Sequence, residues 1–312
     1  MMNVPPIVSR SRRETLLANI RKYPWLYLIM LPVVVFYFVY WYIPLGGLVI
    51  AFQNYKSARG IFASHWVGFK NFLDFFSART FWRLIRNTLS INLQLLLFGF
   101  PFPILFAILL NEVRSTSFRR VTQTITYMPH FVSSVVVAGL MIDFTETNGL
   151  LTNFLRLFGV PNEGLLTKAS WFQPLYVLMN IWQEFGWDSI IYLAALTGID
   201  MQLYEAAKVD GANRIQQTMH VTLPGISTTV TLLLILRIGN MMSLGWDRII
   251  LLYNPMTYET ADVVSTYVYR EGLVGMRYSY GTAAGMFNSV INVSLLVMAN
   301  AISRRISDNS LW

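Results

Sequence analysis

Two carboxylates lie four residues apart in a long apolar stretch of this 312-residue chain. Glu184 and Asp188 would share one face of a helix, and Asn180 precedes them by about one turn. The cation Arg237 lies in the apolar stretch that follows. Because charges inside a membrane are costly, such residues are candidates for a functional site. Their types would suit proton transfer, hydrolysis between two carboxyl groups, or an ion pair between helices.

The positions of the opposite charges favour an ion pair. If the two apolar stretches are antiparallel neighbours, Asp188 and Arg237 lie at similar depth from the cytoplasmic side. We predict that they pair, either as a fixed clamp between helices or as a pair that re-forms between inward-facing and outward-facing states. A proton relay would instead indicate an ion-coupled secondary transporter. A membrane hydrolase would need a substrate and a water molecule between its carboxyl groups, and the sequence shows neither.

A second set of polar and aromatic side chains has the chemistry of a sugar path. Sugar hydroxyls need hydrogen-bonding partners, and the C–H faces of the ring pack on flat aromatic rings. Any of the asparagines could instead tie helices together, as polar groups often do in membranes. The candidate path residues near mid-membrane are Asn180, Trp182, Gln183, Trp187, Asn240, Ser243, Asn288 and Asn292.

Composition places the chain in a bilayer. It is 54% hydrophobic and 13% charged, whereas about 25% charged residues are usual in soluble domains. The net charge of +8 comes from basic residues scattered among loops without a nucleic-acid-binding motif, so nucleic acid is not an expected partner. With no cysteine there is no disulfide or thiolate chemistry. His65, His130 and His220 are far apart in the sequence, which argues against a metal site.

Six stretches are long and apolar enough to span a membrane, which takes about 20 residues. The first is too long for a signal-peptide core and lacks a small-residue cleavage site near its end, so we interpret it as a retained span. We predict an all-α, polytopic membrane protein with six transmembrane helices in one domain over residues 25–302. The predicted spans are 25–51, 87–110, 125–144, 172–199, 226–250 and 281–302.

Basic residues predict the orientation, because cytoplasmic loops carry an excess of Lys and Arg. The strongest basic clusters lie within residues 10–22 and 114–120. With six spans, both termini are then cytoplasmic, as a basic N-terminal segment at 1–24 and a C-terminal tail at 303–312. The loop at 200–225 would also lie inside the cell.

The loop at 200–225 has the pattern of two short helices joined by a tight turn. Asp200 is a favourable N-cap for a helix that begins at the next residue. Gly211 can adopt the left-handed conformation that ends this helix. A second helix is predicted within 213–221, ending before Pro224. An ordinary amphipathic connector would have the same helices, so this pattern alone leaves the function of the loop open.

The same loop resembles the EAA loop of ABC importer permeases, with glutamate, glycine and Leu-Pro at the spacing of that family. The matching residues are Glu205-Ala206-Ala207, Asp210-Gly211-Ala212 and Leu223-Pro224. Other segments resemble the LplB-like branch of its carbohydrate-uptake permeases, which are binding-protein-dependent transport inner-membrane components. These segments are NTLSINLQLLLFGFP, LLNEVR, YMPHFVS, GWDSIIYLAALTGID, YETADVVSTYVYR and the terminal SLW.

The resemblance implies a type I ABC importer permease fold in the bacterial inner membrane. It implies import of an oligosaccharide or polysaccharide, with acidic, alginate-like polymers among the candidates, by alternating access. The implied partners are a second homologous permease, two ATP-binding ABC subunits, an extracytoplasmic sugar-binding protein and the surrounding membrane lipid.

The resemblance also implies a role for the loop, as a coupling helix that docks in a groove of the ATPase subunit. Glu205 would pair with a basic group there, and Ala206 and Ala207 would pack in the groove. Gly211 would permit the turn. The remaining residues of the match are Asp210, Leu223 and Pro224.

The chain has no P-loop. ATP and Mg would therefore be bound by the partner ATPase, and this chain would have no cofactor of its own and would not be an enzyme. A secondary transporter needs no docking loop, so the loop argues against that alternative.

Overall fold

A computed structural model of the protein describes residues 22–306, 310 and 311. Over these residues the chain is mostly helical, with one antiparallel pair of two-residue strands. Most of the predicted N-terminal basic segment and part of the predicted C-terminal tail lie outside the described residues.

The first apolar stretch forms one helical run that matches the predicted first span. It consists of α1 (Pro24–Tyr37), a π-helical turn (Phe38–Tyr42), α2 (Ile43–Leu45) and a 3-10 helix (Gly46–Phe52). Ala51 is the one buried side chain of this run. Its many exposed apolar side chains therefore require lipid or another subunit to cover them.

After the first run come two short strands and then a series of helices joined by turns. The first of these elements are β1 (Gln53–Asn54), β2 (His65–Trp66), α3 (Lys70–Phe76), α4 (Phe81–Gln94), a π-helical turn (Leu95–Gly99), α5 (Pro101–Glu112), α6 (Thr116–Tyr127), a 3-10 turn (Met128–Phe131), α7 (Ser134–Thr145) and α8 (Leu150–Arg156). Next come a 3-10 turn (Leu165–Thr167), α9 (Ala169–Thr197), α10 (Met201–Val209), α11 (Arg214–Gln217), a π-helical turn (Thr218–Thr222) and α12 (Leu223–Gly225). The last are α13 (Ser227–Gly239), α14 (Trp246–Leu252), α15 (Tyr258–Ala261), α16 (Val264–Tyr267), a π-helical segment (Val268–Val274) and α17 (Tyr278–Ile306).

Within the described part of the chain, four helical runs are long and apolar enough to cross a membrane, or five if two helices bent by 61° form one broken span. The helix α9 has 29 residues and is long enough, but it is less apolar than the four. Six spans, with α9 as the sixth, therefore remain a prediction. The four runs are Pro24–Phe52, Phe81–Glu112, Ser134–Arg156 and Tyr278–Arg305, and the bent pair is Arg214–Gly225 with Ser227–Gly239.

Three π-helical turns each end two residues before a proline. These prolines are Pro44, Pro101 and Pro224. Proline lacks an N–H, and its ring clashes with the carbonyl four residues earlier. In the wider π turn the preceding amide bonds five residues back, as Phe100 N does to Leu95 O at 3.0 Å. The second helix of the loop at 200–225, predicted to end before Pro224, therefore continues to Gly225.

The predicted third span, 125–144, is not one helix. It breaks after the 3-10 turn that contains Pro129. A new helix then begins with Ser133 as N-cap, whose Oγ accepts from Val136 N at 3.4 Å. The long apolar run of this region is Ser134–Arg156, so the prediction lay too close to the N-terminus.

The predicted fifth span, 226–250, is broken as well, because residues 240–245 are not helical. Asn292 of α17 accepts from Met242 N at 2.8 Å and so satisfies one backbone group of this break. Such irregular backbone is tolerated at membrane depth where protein covers it or where it lines a cavity.

Among the residues that the structure describes, three buried clusters hold the helices together. The largest joins α4, α7, α9 and α14 and contains Phe172 and Ile249. The second is aromatic and packs Phe75 of α3 against α4 and α17. The third joins α5, α9 and Ile226. Because α9 contributes to two of the three, it is the helix against which the candidate site is assembled.

Candidate functional site

The loop at 200–225 forms the predicted pair of short helices. Asp200 caps α10, since its Oδ1 accepts from Gln202 N at 2.9 Å. Asn213 caps α11 through reciprocal bonds with Gln216, at 2.8 and 3.0 Å. Side chains close in sequence thus satisfy the free amides at both helix starts.

The turn between the helices depends on Gly211. Its φ of +79° is the left-handed conformation predicted from sequence. The next amide, of Ala212, donates to Ala207 O at 2.9 Å and closes the end of α10.

Two contacts hold the helical pair in place, one within the loop and one to a membrane helix. The hydroxyls of Tyr204 and Thr222 lie 3.0 Å apart and join the two halves of the loop. Arg214 forms an ion pair with Glu112, the last residue of α5. The pair is therefore held at the end of the membrane helices rather than hanging free.

The predicted coupling residues lie on an accessible surface. Glu205, Ala206, Asp210, Gly211 and Pro224 are exposed, and Ala207 and Leu223 are partly buried. Large apolar side chains of the same loop are also exposed, with Leu203 at 53%, Val209 at 88% and Ile215 at 75%. The loop therefore offers apolar as well as polar side chains to a partner surface.

A second site is a cavity of about 260 Å³ between α5, α9 and α13. We call it the central cavity. Its charged and amide lining consists of Asn180, Glu184, Asp188, Arg237 and Asn240. Two predicted path residues and both members of the predicted ion pair therefore face one space.

Asp188 and Arg237 face the central cavity without forming an ion pair within 4.0 Å of each other. The carboxylate that is paired is Glu184, which accepts from Arg248 Nη2 at 2.6 Å and lies 2.7 Å from His130 Nδ1. The break in the predicted fifth span places Arg248 on a separate helix, α14, from which its side chain reaches Glu184 of α9. We call Glu184, Arg248 and His130 the charged cluster.

The charged cluster also includes an aromatic wall. The ring of His130 stacks on Trp187, with centroids 4.4 Å apart and an angle of 1° between the planes. The sequence analysis named His130 only in arguing against a metal site, and it did not predict this stacking. The sequence feature that could have indicated this role is the position of His130 directly after Pro129, where the chain breaks between α6 and α7.

The other predicted path residues are dispersed. Gln183 is buried and donates to Val132 O at 3.1 Å. Asn292 donates to Ser243 Oγ at 2.6 Å and so ties α17 to the broken fifth segment. Trp182 lies at an apolar groove, and Asn288 has a buried Oδ1 without a hydrogen bond. For Gln183 and Asn292 these contacts are those of helix ties.

A third polar group lies in the loop after α14, within the segment YETADVVSTYVYR. Asp262 is fully buried and accepts two hydrogen bonds from Arg270, at 3.0 and 2.8 Å. Arg83 of α4 approaches the same carboxylate at 3.5 Å. The hydrogen bonds with Asp262 raise the pKa of Arg270 above its usual range. Together these contacts fasten the loop to α4.

A family model described as a binding-protein-dependent transport system inner membrane component matches residues 99–308. The polygalacturonan/rhamnogalacturonan transport system permease protein YteP of Bacillus subtilis (strain 168) is 41% identical, covering 98% of this chain and 96% of that protein. Protein LplB of the same organism is 39% identical, covering 98% and 97%.

Solved structures agree with these relatives. A bacterial ABC transporter involved in the import of the acidic polysaccharide alginate matches with a TM-score of 0.85 and 45% identity, covering 94% of this chain and 99% of that chain. A second structure shows a bacterial alginate ABC transporter in complex with an alginate pentasaccharide-bound periplasmic protein, and it matches with a TM-score of 0.86 and 44% identity.

The matches extend along nearly the whole chain and carry the type I ABC permease fold. The family consists of transport permeases, so ATP hydrolysis takes place in partner ATPase subunits and not in this chain. The helical, apolar architecture and the exposed loop fit that function. The chain belongs to the family of binding-protein-dependent transport system inner membrane components and is a permease subunit of an ABC importer for sugars or polysaccharides.

Proposed function

We propose that the chain imports an acidic oligosaccharide or polysaccharide. The observation that carries this proposal is the near full-length similarity to two permeases of acidic polymers, one named for polygalacturonan and rhamnogalacturonan and one from an alginate importer. An extracytoplasmic sugar-binding protein is the source of the substrate, and the periplasmic protein bound to the alginate transporter supports this partner.

The importer contains a second, homologous permease and two ATP-binding subunits, which hold ATP and Mg. Two exposed surfaces of this chain support such partners. One is the helical run Pro24–Phe52, whose apolar side chains are almost all exposed. The other is the loop at 200–225.

The loop at 200–225 couples ATP hydrolysis in the partner subunits to movement of the membrane helices. Glu205 lies on the exposed face of α10, beside Ala206, and so can reach a basic group of a docked ATPase. The two contacts that fix the loop, Tyr204 with Thr222 and Arg214 with Glu112, transmit a displacement of α10 to the membrane helices. The second permease would contribute the same device from its own chain.

In this arrangement the loop and both termini lie in the cytoplasm. Residues 25–302 form the transmembrane permease domain, flanked by the basic segment at 1–24 and the tail at 303–312. The ion pair between Glu112 and Arg214 supports the placement of the C-terminal end of α5 on the same side as the loop.

The central cavity lies on the path of the sugar, and rocking of the two permeases opens it to alternate sides of the membrane. Asp188 and Arg237 line it from different helices and are free to approach when α9 and α13 move. We therefore propose that this pair forms in the other state of the cycle.

The docking role is tested by purifying the complex from its native membrane with the Glu205→Arg variant. We expect the ATP-binding subunit to come with the wild-type chain and to be lost from the variant, because a reversed charge repels the basic group of the groove. Glu163→Arg is the matched control, since Glu163 is an exposed carboxylate outside the loop. Equal recovery of the ATPase with wild type and Glu205→Arg would contradict the docking role.

A further inference from the structure

A polar cavity of about 440 Å³ lies at the opposite end of α4–α5 from the coupling loop. We call it the outer cavity. Along the helix axis its residue Arg86 is roughly 39 Å from Glu112, at a rise of about 1.5 Å per residue. That distance exceeds the hydrocarbon thickness of about 30 Å. The outer cavity therefore faces the side of the membrane from which the sugar arrives.

One wall of the outer cavity is a stripe on α4. Arg86, Ser90 and Gln94 follow each other at four-residue spacing and share one face of the helix. The opposite wall, from α9 and α15, carries Gln173 and Thr260. All five side chains have hydrogen-bonding groups, unlike the apolar lining expected of a contact with lipid tails.

The amide of Gln173 is held in one orientation. Its Oε1 accepts from Ser90 Oγ at 2.7 Å and from Gln94 Nε2 at 2.8 Å, and its Nε2 donates to Thr260 O at 2.9 Å. The polar walls are therefore ordered without a ligand, which lowers the entropic cost of binding one.

The guanidinium of Arg86 has no carboxylate partner among the described residues. No carboxylate lies within 4.0 Å of it among the described residues, whereas Arg83, three residues earlier on α4, approaches the buried carboxylate of Asp262. Arg86 is exposed and lines the outer cavity. An uncompensated guanidinium beside ordered hydroxyl and amide groups is suited to a ligand that carries both a carboxylate and hydroxyls.

We infer that the outer cavity is a subsite for an acidic sugar, in which Arg86 binds the carboxylate of a uronate residue and Gln94 and Ser90 contact its hydroxyls. This inference rests on the proposed function, since it requires that an acidic saccharide passes through the chain. The subsite adds a selection step before the central cavity. A neutral sugar can form the same hydrogen bonds with the hydroxyl and amide groups, but it has no carboxylate to pair with Arg86.

The test uses the complete importer and a thiol placed in the cavity. The wild-type chain has no cysteine, so a Ser170→Cys variant, at an exposed position that lines the outer cavity and has no proposed sugar contact, carries one reactive site, which a charged methanethiosulfonate reagent labels. A uronate trimer should slow this labelling without ATP present. Its carboxyl-reduced, neutral counterpart should not. A Ser77→Cys variant, exposed and outside the cavity, should be labelled at the same rate with or without sugar.

Adding Arg86→Gln to Ser170→Cys should raise the uronate concentration needed for half-protection by about tenfold, as expected for losing a charge-assisted contact. Arg86→Lys should retain most of the protection, and Arg79→Gln, which removes an exposed cation outside the cavity, should have no effect.

Equal protection by the acidic and neutral trimers, or unchanged protection in Arg86→Gln, would overturn the subsite. Protection by anionic phospholipid with no effect of either sugar would assign Arg86 to the lipid headgroups instead. Uptake by the wild-type importer is measured separately. If it carries uronates normally while Arg86→Gln changes nothing, only the subsite fails; if it carries no uronate, the proposed function fails.

Discussion

At the scale of single residues, the charged cluster is the feature on which the account of the central cavity depends. Glu184 is only 18% exposed and accepts from Arg248, with His130 on its other oxygen. Removing one partner of a largely buried pair leaves a charge without compensation, which costs more than the pair itself contributes.

We therefore expect Arg248→Met to destabilise the purified importer by about 3 kcal/mol in thermal unfolding. Arg277→Met is the control: Arg277 is 53% exposed in its pair with Glu271, and such surface pairs are worth about 1 kcal/mol or less. The double variant Glu184→Gln with Arg248→Met should recover part of the loss. Strict additivity of the two single effects would show that these side chains are not coupled.

The pair proposed for the other transport state has its own test. Single Asp188→Ala and Arg237→Ala variants should each lower transport, since each leaves an unpaired charge in the central cavity. The double variant shows what the pair does: restored transport means a structural clamp, and transport that stays low means that formation of the pair is part of the cycle. Assembly is checked by co-purification. A double variant that transports less than either single variant, by the sum of the two losses, would contradict the pairing.

The structural role of a residue could be predicted from sequence where it depends only on neighbouring residues of the chain. The cap by Asp200 and the left-handed Gly211 follow from neighbouring backbone groups, and both were predicted and are found. The contact of Arg248 with Glu184 was not predicted, because it depends on the break in the predicted fifth span, which the hydropathy pattern shows as continuous. The stack of His130 on Trp187 depends on a similar break.

At the scale of elements, close contacts between helices determine which glycines can be replaced by a residue with a side chain. Gly186 of α9 packs against α6, and a Cβ placed there would clash with Thr126 O, a backbone atom that cannot rotate away. Gly139 of α7 has nothing within 4 Å of the equivalent position.

Gly186→Ala should therefore destabilise the importer by about 1–3 kcal/mol, through forced separation of α6 and α9. Gly139→Ala should be neutral or slightly stabilising, because alanine is the better helix former by about 1 kcal/mol. Thermal unfolding of the two variants side by side measures this difference. Equal melting temperatures would mean that α6 and α9 are not in close contact in the membrane.

The coupling loop gives a second prediction at this scale. Gly211→Ala places a Cβ on a left-handed residue and should cost about 1–2 kcal/mol, and it should weaken recovery of the ATPase subunit. The control is Gly198→Ala at the end of α9, where φ is −84° and any residue fits. Hydrogen exchange of the α10 amides reports the loosening directly. Unchanged exchange in Gly211→Ala would contradict the role of the turn.

Element bounds were predictable from hydropathy only where no tertiary contact intervenes. The first predicted span, 25–51, differs from the helical run Pro24–Phe52 by one residue at each end. The third span breaks at the turn that contains Pro129, and the fifth breaks where Asn292 satisfies a freed backbone amide. These breaks bring polar residues to the central cavity, so the errors of the sequence prediction coincide with the candidate site.

At the scale of the whole molecule, the composition predicted a helical membrane protein, and one long motif, the loop at 200–225, predicted its general function. The residues of the sugar path stay a prediction, and two of them, Gln183 and Asn292, make contacts of the kind that tie helices together. Charged residues inside the membrane also suit an ion-coupled carrier, which is the alternative to an ATP-driven importer.

The most direct test of the account is sugar uptake by the complete importer in sealed proteoliposomes, with a uronate oligosaccharide on its binding protein outside. We predict uptake that requires ATP with Mg on the side of the coupling loop and that is unaffected when ionophores abolish the proton and sodium gradients. Glu205→Arg should abolish it. Uptake that proceeds without ATP and stops when the ion gradients are removed would contradict the account and identify a secondary transporter.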